Sequence, residues 1–424
     1  MKKHALYGMM MLALAASPAA AAPHAVEIGH VDGKVFLLRD GVSVSLKGAA
    51  GVTYLETLAQ AGATAVRTYG DDQIAILDQA GALKLSVIQG LWMEHPRRGF
   101  DYADAAQVAQ QTERLLAVVD RYKTHPALLV WGLGNEIETE VADPTPIWAA
   151  VEAMARKIKE RDPHHPIMLT VAEIGEDKAR KIKEMCPSID ILGVNTYGDA
   201  VPSLGDRLRA QGWNKPVIIA ELGPYGQWQV GRTSWNAPIE PTSTEKAEKL
   251  SDLYRTAEKS IPDLLGIFPF FWGDKQEQTA TWHGMLLADG TRLGAVDSLT
   301  ELWTGAPAPN RAPLVEKISI EGIAGGSEVR LKPGESRKTS IVATDPDEDP
   351  LRYVWTVSSE AANLGTGGDI EPIPPTQPDA VPREADNTIT LTAPTVPGAY
   401  RLFVTVMDGM NNGATANVPF LVAE

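Results

Sequence analysis

Before residue 305, eight short apolar runs alternate with helical stretches, and most of the runs end in polar or aromatic residues. Runs rich in Val, Ile and Leu are typical of a parallel sheet that is covered on both faces. The runs are 42–48, 64–70, 83–92, 128–136, 166–173, 189–198, 216–223 and 265–274. One face of the intervening segment 145–162 is apolar at helical spacing, through Ile147, Val151, Met154, Ala155 and Ile158.

Eight strand–helix alternations within about 260 residues match the size and strand count of a (β/α)8 TIM barrel, which belongs to the α/β class. An open doubly wound sheet is the alternative. It usually has fewer strands, and this chain has no glycine-rich phosphate loop after the first run. The pattern therefore predicts a barrel over residues 26–305.

The composition changes after Trp303. Residues 306–313 are a Pro/Ala-rich linker, and 314–424 contain short strand-like runs between turn residues. In "RLFVTVMD", Leu402, Val404 and Val406 alternate as in a half-buried strand. This segment predicts a small C-terminal β-sandwich. We expect that cutting near Ala308 leaves a folded barrel.

The "DPDEDPLRYVW" stretch of the C-terminal segment is acidic. It resembles the Ig-like polycystic kidney disease repeats of secreted hydrolases. Asp345, Asp347 and Asp349 offer oxygens at alternate positions, as calcium requires. A solvated acidic turn is the preferred interpretation, and we assign no metal.

The extreme N-terminus, residues 1–22, has the pattern of a secretory signal peptide: two lysines, an apolar run and small residues before the cleavage point. It predicts a periplasmic or secreted protein that is not an integral membrane protein after cleavage. The net charge of −15 disfavours nucleic acid and anionic membranes as partners. The single cysteine, Cys186, is interpreted as a small buried hydrophobe.

Polar and aromatic residues gather at the predicted strand ends, where TIM barrels place their chemistry. Surface loops would not be expected to place acids, amides, an arginine and aromatics together at one rim. The strand-end residues are Arg67, Tyr69, Trp92, Glu94, Asn135, Glu136, Glu173, Asn195, Tyr197, Glu221, Trp272 and Asp274.

Such a set suits the cleavage of a glycosidic bond, which needs two carboxyl groups and no cofactor. Glu136 emerges from the buried run "LLVWGLGN", so burial should raise its pKa as a general acid requires. Glu221 ends the run "VIIA" in the same manner. Arg67 and Tyr197 could keep Glu221 ionised as a nucleophile while Glu136 stays protonated.

The segments "GLGNEIE" and "IIAELGPYG" resemble the signatures that close strands 4 and 7 in clan A glycoside hydrolases. The family 2 catalytic barrel and the β-1,3-glucanosyltransferase barrels are the most similar, over about residues 30–305. The resemblance implies Glu136 as acid/base and Glu221 as nucleophile. It also implies supporting or sugar-binding roles, with Asn135 on the 2-hydroxyl, Arg67 and Tyr197 beside the nucleophile, and Trp272 as the floor of the first subsite.

Further candidates come from the loops and from neighbouring strand ends. Glu138 is interpreted as a rim or solvent residue, Glu173 as the partner of a basic residue and Trp131 as core, whereas Glu94 could line the cleft. One or two of the loop tryptophans Trp228, Trp235 and Trp282 should touch sugar. The loop "GDKQEQTATWHG" adds Asp274, Gln276, Trp282 and His283. The complete predicted substrate-binding set is Arg67, Tyr69, Trp92, Asn135, Asn195, Tyr197, Trp272, Asp274, Gln276 and Trp282.

The sequence therefore predicts a retaining β-glycoside hydrolase that acts on an extracytoplasmic β-glucan or oligosaccharide. A β-glucan transglycosylase using the same site, and a catalytically inactive carbohydrate-binding barrel, are the alternatives. A lyase or aldolase would need a Schiff-base lysine, for which Lys47 is the candidate. The sugar and the linkage stay open.

Overall fold

A computed structural model describes residues 24–424 except 32–33, 72, 322, 324–327, 363 and 367. The predicted signal peptide, residues 1–22, lies outside the described residues. Within the described part of the chain, no helix is both long enough and apolar enough to cross a membrane.

Eight parallel strands form a closed barrel, as predicted. A three-stranded antiparallel sheet precedes it: β1 (Val26–Val31), β2 (Lys34–Arg39) and β3 (Val42–Val44). The barrel strands are β4 (Leu46–Ala50), β5 (Ala65–Arg67), β6 (Ser86–Leu91), β7 (Leu128–Asn135), β8 (Ile167–Ala172), β9 (Ile191–Tyr197), β10 (Val217–Gly223) and β11 (Leu264–Pro269). They follow chain order around the barrel, and β11 closes on β4. The predicted first strand, 42–48, is corrected, because it combines β3 with the start of β4.

Helices surround the barrel and shield its strands from water. They are α1 (Leu55–Gln60), α2 (Ile74–Ala82), α3 (Ala105–Tyr122), α4 (Thr145–Arg161), α5 (Lys178–Met185), α6 (Leu204–Ala210), α7 (Ser243–Ser260) and α8 (Gly294–Thr304), with short 3-10 turns at Pro96–Arg98 and Gly198–Ala200. The predicted apolar face of α4 is buried against the barrel core. A capping box of Thr242 and Glu245 starts α7 by satisfying free backbone N–H groups.

The C-terminal part of the chain is built of β-sheets that bury a common apolar core. Leu402, Val404 and Val406 lie in that core, as their alternation predicted. The strands are β13 (Leu314–Val315), β14 (Ser319–Ile320), β15 (Val329–Leu331), β16 (Ser336–Ser340), β17 (Ala343–Thr344), β18 (Arg352–Ser359), β19 (Glu384–Ala385), β20 (Thr388–Thr392), β21 (Gly398–Met407) and β22 (Asn412–Val422), and β12 (Arg292–Leu293), which precedes α8, joins the same sheets.

The barrel and the C-terminal sheets are joined by more than the linker. Strand β12, which immediately precedes α8, pairs in parallel with β22. The buried Arg401 donates through Nη2 to the Pro238 carbonyl at 2.8 Å, and Thr415 N donates to Ser243 Oγ at 2.8 Å. A cut near Ala308 would break these contacts, and the expectation that it leaves a folded barrel stays a prediction.

The acidic turn does not gather the three aspartates in which calcium was considered. Asp347 pairs instead with Arg311, with Oδ1 2.9 Å from Nη2. Asp345 and Asp349 lie close to Asp408, and one oxygen from each falls within 4.8 Å of the others. Hydrogen bonds from Asn310 and from the backbone N–H groups of Asp347 and Asp349 already engage these carboxylates. The assignment without a metal therefore stays a prediction.

Candidate active site

Glu136 follows a break in the regular pairing of β7. The register between β7 and β8 shifts between Leu133 and Asn135, and Gly134 has φ +68°, a conformation that glycine adopts without steric cost. Glu136 itself has φ +52°, which is uncommon for a residue with a side chain. Such bulges re-aim side chains beside active sites. The Gly-Leu-Gly of this strand thus turns the end of β7 so that Asn135 and Glu136 reach the barrel mouth.

Glu221 lies at a second irregularity, in β10. The pairing with β9 shifts between Ile219 and Glu221, and the pairing with β11 shifts between Ile219 and Leu222. The Glu221 carboxylate is 6% exposed and the Arg67 side chain that faces it is almost fully buried. Their charges are paired at 3.1 Å between Arg67 Nη1 and Glu221 Oε1. A buried carboxylate is stabilised in its charged form only by such partners.

Two tyrosines complete the environment of Glu221. Tyr69 donates its hydroxyl to Oε1 at 2.8 Å, and Tyr197 donates to Oε2 at 2.7 Å. Burial, with the negative charge of Glu221, raises the pKa of both tyrosines well above their usual range. They therefore remain protonated donors. The arginine and the two hydroxyls orient the Glu221 carboxylate and place three donors on its oxygens, as a nucleophile requires.

Glu136 has the opposite environment. Asn195 Nδ2 donates to Glu136 Oε1 at 2.8 Å and also to Asn135 Oδ1 at 3.1 Å. Burial raises the pKa of Glu136 to about 8, and the charge of Glu221 adds to the rise, although the hydrogen bond from Asn195 opposes it. Glu136 is thus protonated at neutral pH. Two carboxyl groups in such different surroundings can divide the roles of acid and nucleophile.

A cavity of about 220 Å³ opens above these groups. Trp228 is the most exposed aromatic in its lining, at 60%, and it meets Tyr197 edge-to-face with ring centroids 5.4 Å apart. An exposed tryptophan beside a polar cavity is typical of sugar binding. The lining comprises Tyr69, Trp92, Asn135, Glu136, Tyr197, Glu221, Trp228, Phe270, Phe271, Lys275, Glu277 and Gly368.

Four predicted substrate contacts lie elsewhere. Trp272 is fully buried in the barrel core and its indole N–H points to the Tyr54 carbonyl, so it does not floor the first subsite. Trp282 is buried and donates to the Tyr225 carbonyl at 3.1 Å. Asp274 and Gln276 line a different cavity, between the loop after β11 and the C-terminal sheet. These are corrections, and each arises because the loop after β11 does not keep the alternation of a strand.

Sequence reasoning missed five lining residues. Phe270 and Phe271 directly follow β11 and form the aromatic wall expected of Trp272. Lys275 and Glu277 belong to the loop "GDKQEQTATWHG", from which the sequence analysis selected their neighbours Asp274 and Gln276 as substrate-binding residues instead. Gly368 comes from the C-terminal sheets, and no pattern in the sequence connects it with the barrel mouth.

Lys275 and Glu277 form a charged pair at the edge of the cavity, 3.3 Å apart between Nζ and Oε2. Lys275 Nζ also lies 5.8 Å from the ring centres of Phe270 and Phe271. Burial acts to raise the pKa of Glu277, but the close approach of His283, whose Nε2 lies 3.5 Å from Oε1, and the charge of Lys275 outweigh it and lower the pKa to about 2. Glu277 is therefore ionised, and the two side chains offer a donor and an acceptor to a ligand.

The other acidic candidates lie apart from Glu136 and Glu221. Glu138, although only two residues from Glu136, turns away and binds Lys178 Nζ at 2.6 Å; it is buried rather than a solvent residue. Glu173 pairs with Arg207 at 2.5 Å, as predicted. Glu94 is 3.5 Å from Arg114 and is not part of the lining.

The remaining candidates also fall outside the cavity. Trp131 is core, as predicted, and donates to Asp162. Trp235 lies under the guanidinium of Arg330. Lys47 donates to the Trp303 carbonyl and is not in the cavity lining, so the Schiff-base hypothesis loses its residue.

Comparison with known proteins supports a glycosidase barrel. Residues 73–231 match the model described as "Glycosyl hydrolases family 2, TIM barrel domain". A beta-galactosidase of Vibrio cholerae serotype O1 is 28% identical over 140 residues, which are 30% of this chain and 13% of that protein. The chain thus spans a small part of this relative.

Solved structures resemble the chain in fold. A family 2 beta-galacturonidase from Eisenbergiella tayi bound to glycerol has a TM-score of 0.51 and 16% identity, over 67% of this chain and 54% of that chain. An FMN-binding beta-glucuronidase from Facaelibacterium prausnitzii L2-6 has a TM-score of 0.50 and 14% identity, over 95% and 59%. The resemblance in fold agrees with the match of residues 73–231 to a glycosyl hydrolase family 2 TIM barrel. This match lies within the closed barrel that carries Glu136 and Glu221.

Proposed function

We propose that this protein is a retaining β-glycoside hydrolase that works by double displacement with Glu136 and Glu221. One observation carries the proposal. Two carboxyl groups line the same cavity, one with its pKa raised to about 8 and one held by an arginine and two tyrosine hydroxyls. This is the division of roles that glycoside cleavage needs, and in our proposal the second carboxylate acts as the nucleophile of a retaining enzyme. The family 2 match of residues 73–231 supports it.

In the first step, the Glu136 carboxylic acid donates its proton to the glycosidic oxygen. The Glu221 carboxylate attacks the anomeric carbon as the bond to the leaving group breaks. The products are the free alcohol, a glycosyl ester on Glu221 and an ionised Glu136. As Glu221 loses its charge, the hydrogen bonds from Tyr69, Tyr197 and Arg67 weaken, so these residues favour the later departure of the sugar.

In the second step, Glu136 acts as a base. It takes a proton from water, which attacks the anomeric carbon from the face that the leaving group vacated. The ester bond to Glu221 breaks and its carboxylate is restored. Two inversions give net retention, and Glu136 regains the proton that it needs for the next cycle.

The sugar contacts follow from the lining. Trp228 and Trp92 offer apolar faces for sugar rings. Asn135 accepts through Oδ1 from Arg67 at 2.7 Å and from Asn195, so its Nδ2 is left to donate to the 2-hydroxyl. The polar chain Arg67–Asn135–Asn195–Glu136 thereby links the nucleophile, the sugar and the acid.

The substrate in this proposal is an extracytoplasmic β-glucan or β-linked oligosaccharide. The signal-peptide pattern of residues 1–22 supports a periplasmic or secreted location, and the Ig-like resemblance of residues 314–424 is common among secreted hydrolases. The relatives are named as acting on β-galactosides, β-glucuronides and β-galacturonides, so these sugars belong in the first substrate screen.

The test is a screen of the purified protein against aryl β-glucosides, β-galactosides, β-glucuronides and β-galacturonides, and against β-1,3-, β-1,4- and β-1,6-glucans. A proton NMR time course on an active β-substrate should show the β-anomer first. Initial formation of the α-anomer would contradict the double displacement. Longer saccharides among the products would mean that transfer competes with hydrolysis at the same site.

A further inference from the structure

A segment of the C-terminal sheets reaches the barrel mouth. We name residues 364–366 and 368–371 the strap; they belong to the long connection between β18 and β19. Their contacts with the barrel come from loops that follow three different strands. None of these contacts could be read from the linker composition that separates the two parts of the chain.

On one side, the strap is held by the loops after β6 and β7. Asp369 Oδ2 lies 2.6 Å from Arg97 Nη1, and Arg98 pairs with Oδ1 of the same carboxylate. Thr366 Oγ1 donates to Glu140 Oε1 at 3.2 Å. Asp369 also accepts from the backbone N–H of Thr366, which fixes the turn of the strap itself.

On the other side, the strap is held by the loop after β11. The backbone N–H of Gln278 donates to Glu371 Oε2 at 2.6 Å, and Glu371 Oε1 accepts from Gly365 N at 3.2 Å. Glu371 is buried. In the barrel order, β7 and β11 are four strands apart among eight, so they lie opposite each other. The strap therefore crosses the mouth from one side to the other.

Between its two attachments the strap borders the cavity. Gly368 lines it together with Trp92 and Glu136. Gly368 has φ +79°, and a Cβ placed on it would meet no atom within 4 Å. Asp369 also holds Arg98, whose guanidinium lies 5.6 Å from the centre of the Trp92 ring. The strap thus forms one wall of the cavity through Gly368. Through Asp369 and Arg98 it also supports Trp92, which forms another wall.

We propose that the strap is a specificity-determining element of the substrate site, which limits the length of saccharide that the cavity accepts. The cavity of about 220 Å³ is below the usual range of about 300–1,000 Å³ for ligand pockets, so a wall across the mouth leaves room for few sugar units. The inference rests on the proposed glycosidase function. It adds that the C-terminal sheets, and not the barrel alone, set substrate size.

The test compares two substrates of the sugar that the screen identifies: a 4-nitrophenyl β-monoside, which is small, and the β-linked trisaccharide. The readout is the ratio of kcat/KM for the trisaccharide to kcat/KM for the monoside. Asp369→Asn keeps the size of the side chain but removes its charge from Arg97 and Arg98. Loosening the strap should raise the ratio at least about fivefold, the effect of one or more pocket contacts.

Gly368→Asn should act in the opposite direction. Asparagine tolerates positive φ better than most residues, and its side chain would occupy open space at the cavity wall. The ratio should fall by at least about fivefold. The matched control is Glu384→Gln on β19, which removes the exposed pair with Arg352 of β18 and should leave the ratio within about twofold.

Each outcome decides the proposal. Opposite shifts in the two strap variants support it, provided that thermal melting shows both to be folded. Ratios unchanged in both folded variants would overturn the role of the strap while leaving the glycosidase function intact. A wild-type protein inactive on every glycoside of the screen would instead overturn the proposed function, and the strap inference with it.

Discussion

The ends of the barrel strands and the loop after β11 both line the cavity, but their residues reach it by different rules. Every strand-end residue predicted from β5, β7, β9 and β10 lies in the site or holds one that does; these are Arg67, Tyr69, Asn135, Glu136, Asn195, Tyr197 and Glu221. In the loop after β11, none of the predicted Trp272, Asp274, Gln276 and Trp282 lines the cavity. Phe270, Phe271, Lys275 and Glu277 do.

The difference shows that the periodicity of a strand predicts side-chain positions only as far as the strand itself extends. A strand in a closed barrel has neighbours on both sides, so hydrogen bonding fixes which residues stand at its carboxyl end. A loop has no such constraint. Its side chains are directed by local contacts, such as the bond from the Trp272 indole to Tyr54 and from Trp282 to Tyr225. Variants of both regions can test whether this contrast extends to activity.

The largest effect should come from the two glutamates at the strand ends. Glu221→Ala and Glu136→Ala should each lower kcat on a 4-nitrophenyl β-glycoside by at least about 10³-fold, because Glu221 forms the bond to the sugar and Glu136 is the acid of the first step and the base of the second. Azide should restore turnover of a dinitrophenyl glycoside in both, giving the β-glycosyl azide with Glu136→Ala and the α-glycosyl azide with Glu221→Ala. NMR of the products makes the distinction.

The control for this pair is Glu138→Gln. Its carboxylate faces Lys178 and not the cavity, so kcat should stay close to that of the wild-type protein. The same azide anomer from both alanine variants, or a Glu138→Gln variant as inactive as Glu136→Ala, would refute the assignment of the pair.

The second effect is an alkaline limb in the pH profile. Glu136 must be protonated to act as an acid, and the protonated fraction falls as the pH rises through its pKa of about 8. We expect kcat/KM for a 4-nitrophenyl glycoside to fall about tenfold per pH unit above that value. A 2,4-dinitrophenyl glycoside needs no proton for departure, so its profile should be nearly flat there. Identical limbs for both substrates would assign the titration to another group.

A smaller effect separates two tryptophans. Trp228→Ala removes an exposed face from the cavity and should raise KM about three- to tenfold with little change in the melting temperature. Trp272→Phe alters a core residue and should lower the melting temperature while KM stays within about twofold. A raised KM in folded Trp272→Phe would restore the sequence-based assignment of a subsite floor.

The smallest effect is expected within the loop itself. Gln276→Ala, which alters a side chain in the neighbouring cavity, should change kcat/KM by less than about twofold. Lys275→Met, one position away, removes the charge that faces Glu277 at the edge of the catalytic cavity and should change KM more. Equal effects of the two substitutions would show that the loop is rearranged when substrate binds.

The sequence by itself predicted the eight-stranded barrel and the position of Glu136 and Glu221 at strand ends, because apolar periodicity and strand-end chemistry are local properties of the chain. It could not determine the bulges that turn Glu136 and Glu221 toward the cavity, because a bulge is defined by pairing between strands distant in sequence. Nor could it place Trp272 in the core or Gly368 at the mouth. Only the tertiary structure decided these positions, since they depend on contacts between segments about 100 residues or more apart, which leave no periodic signal in either segment.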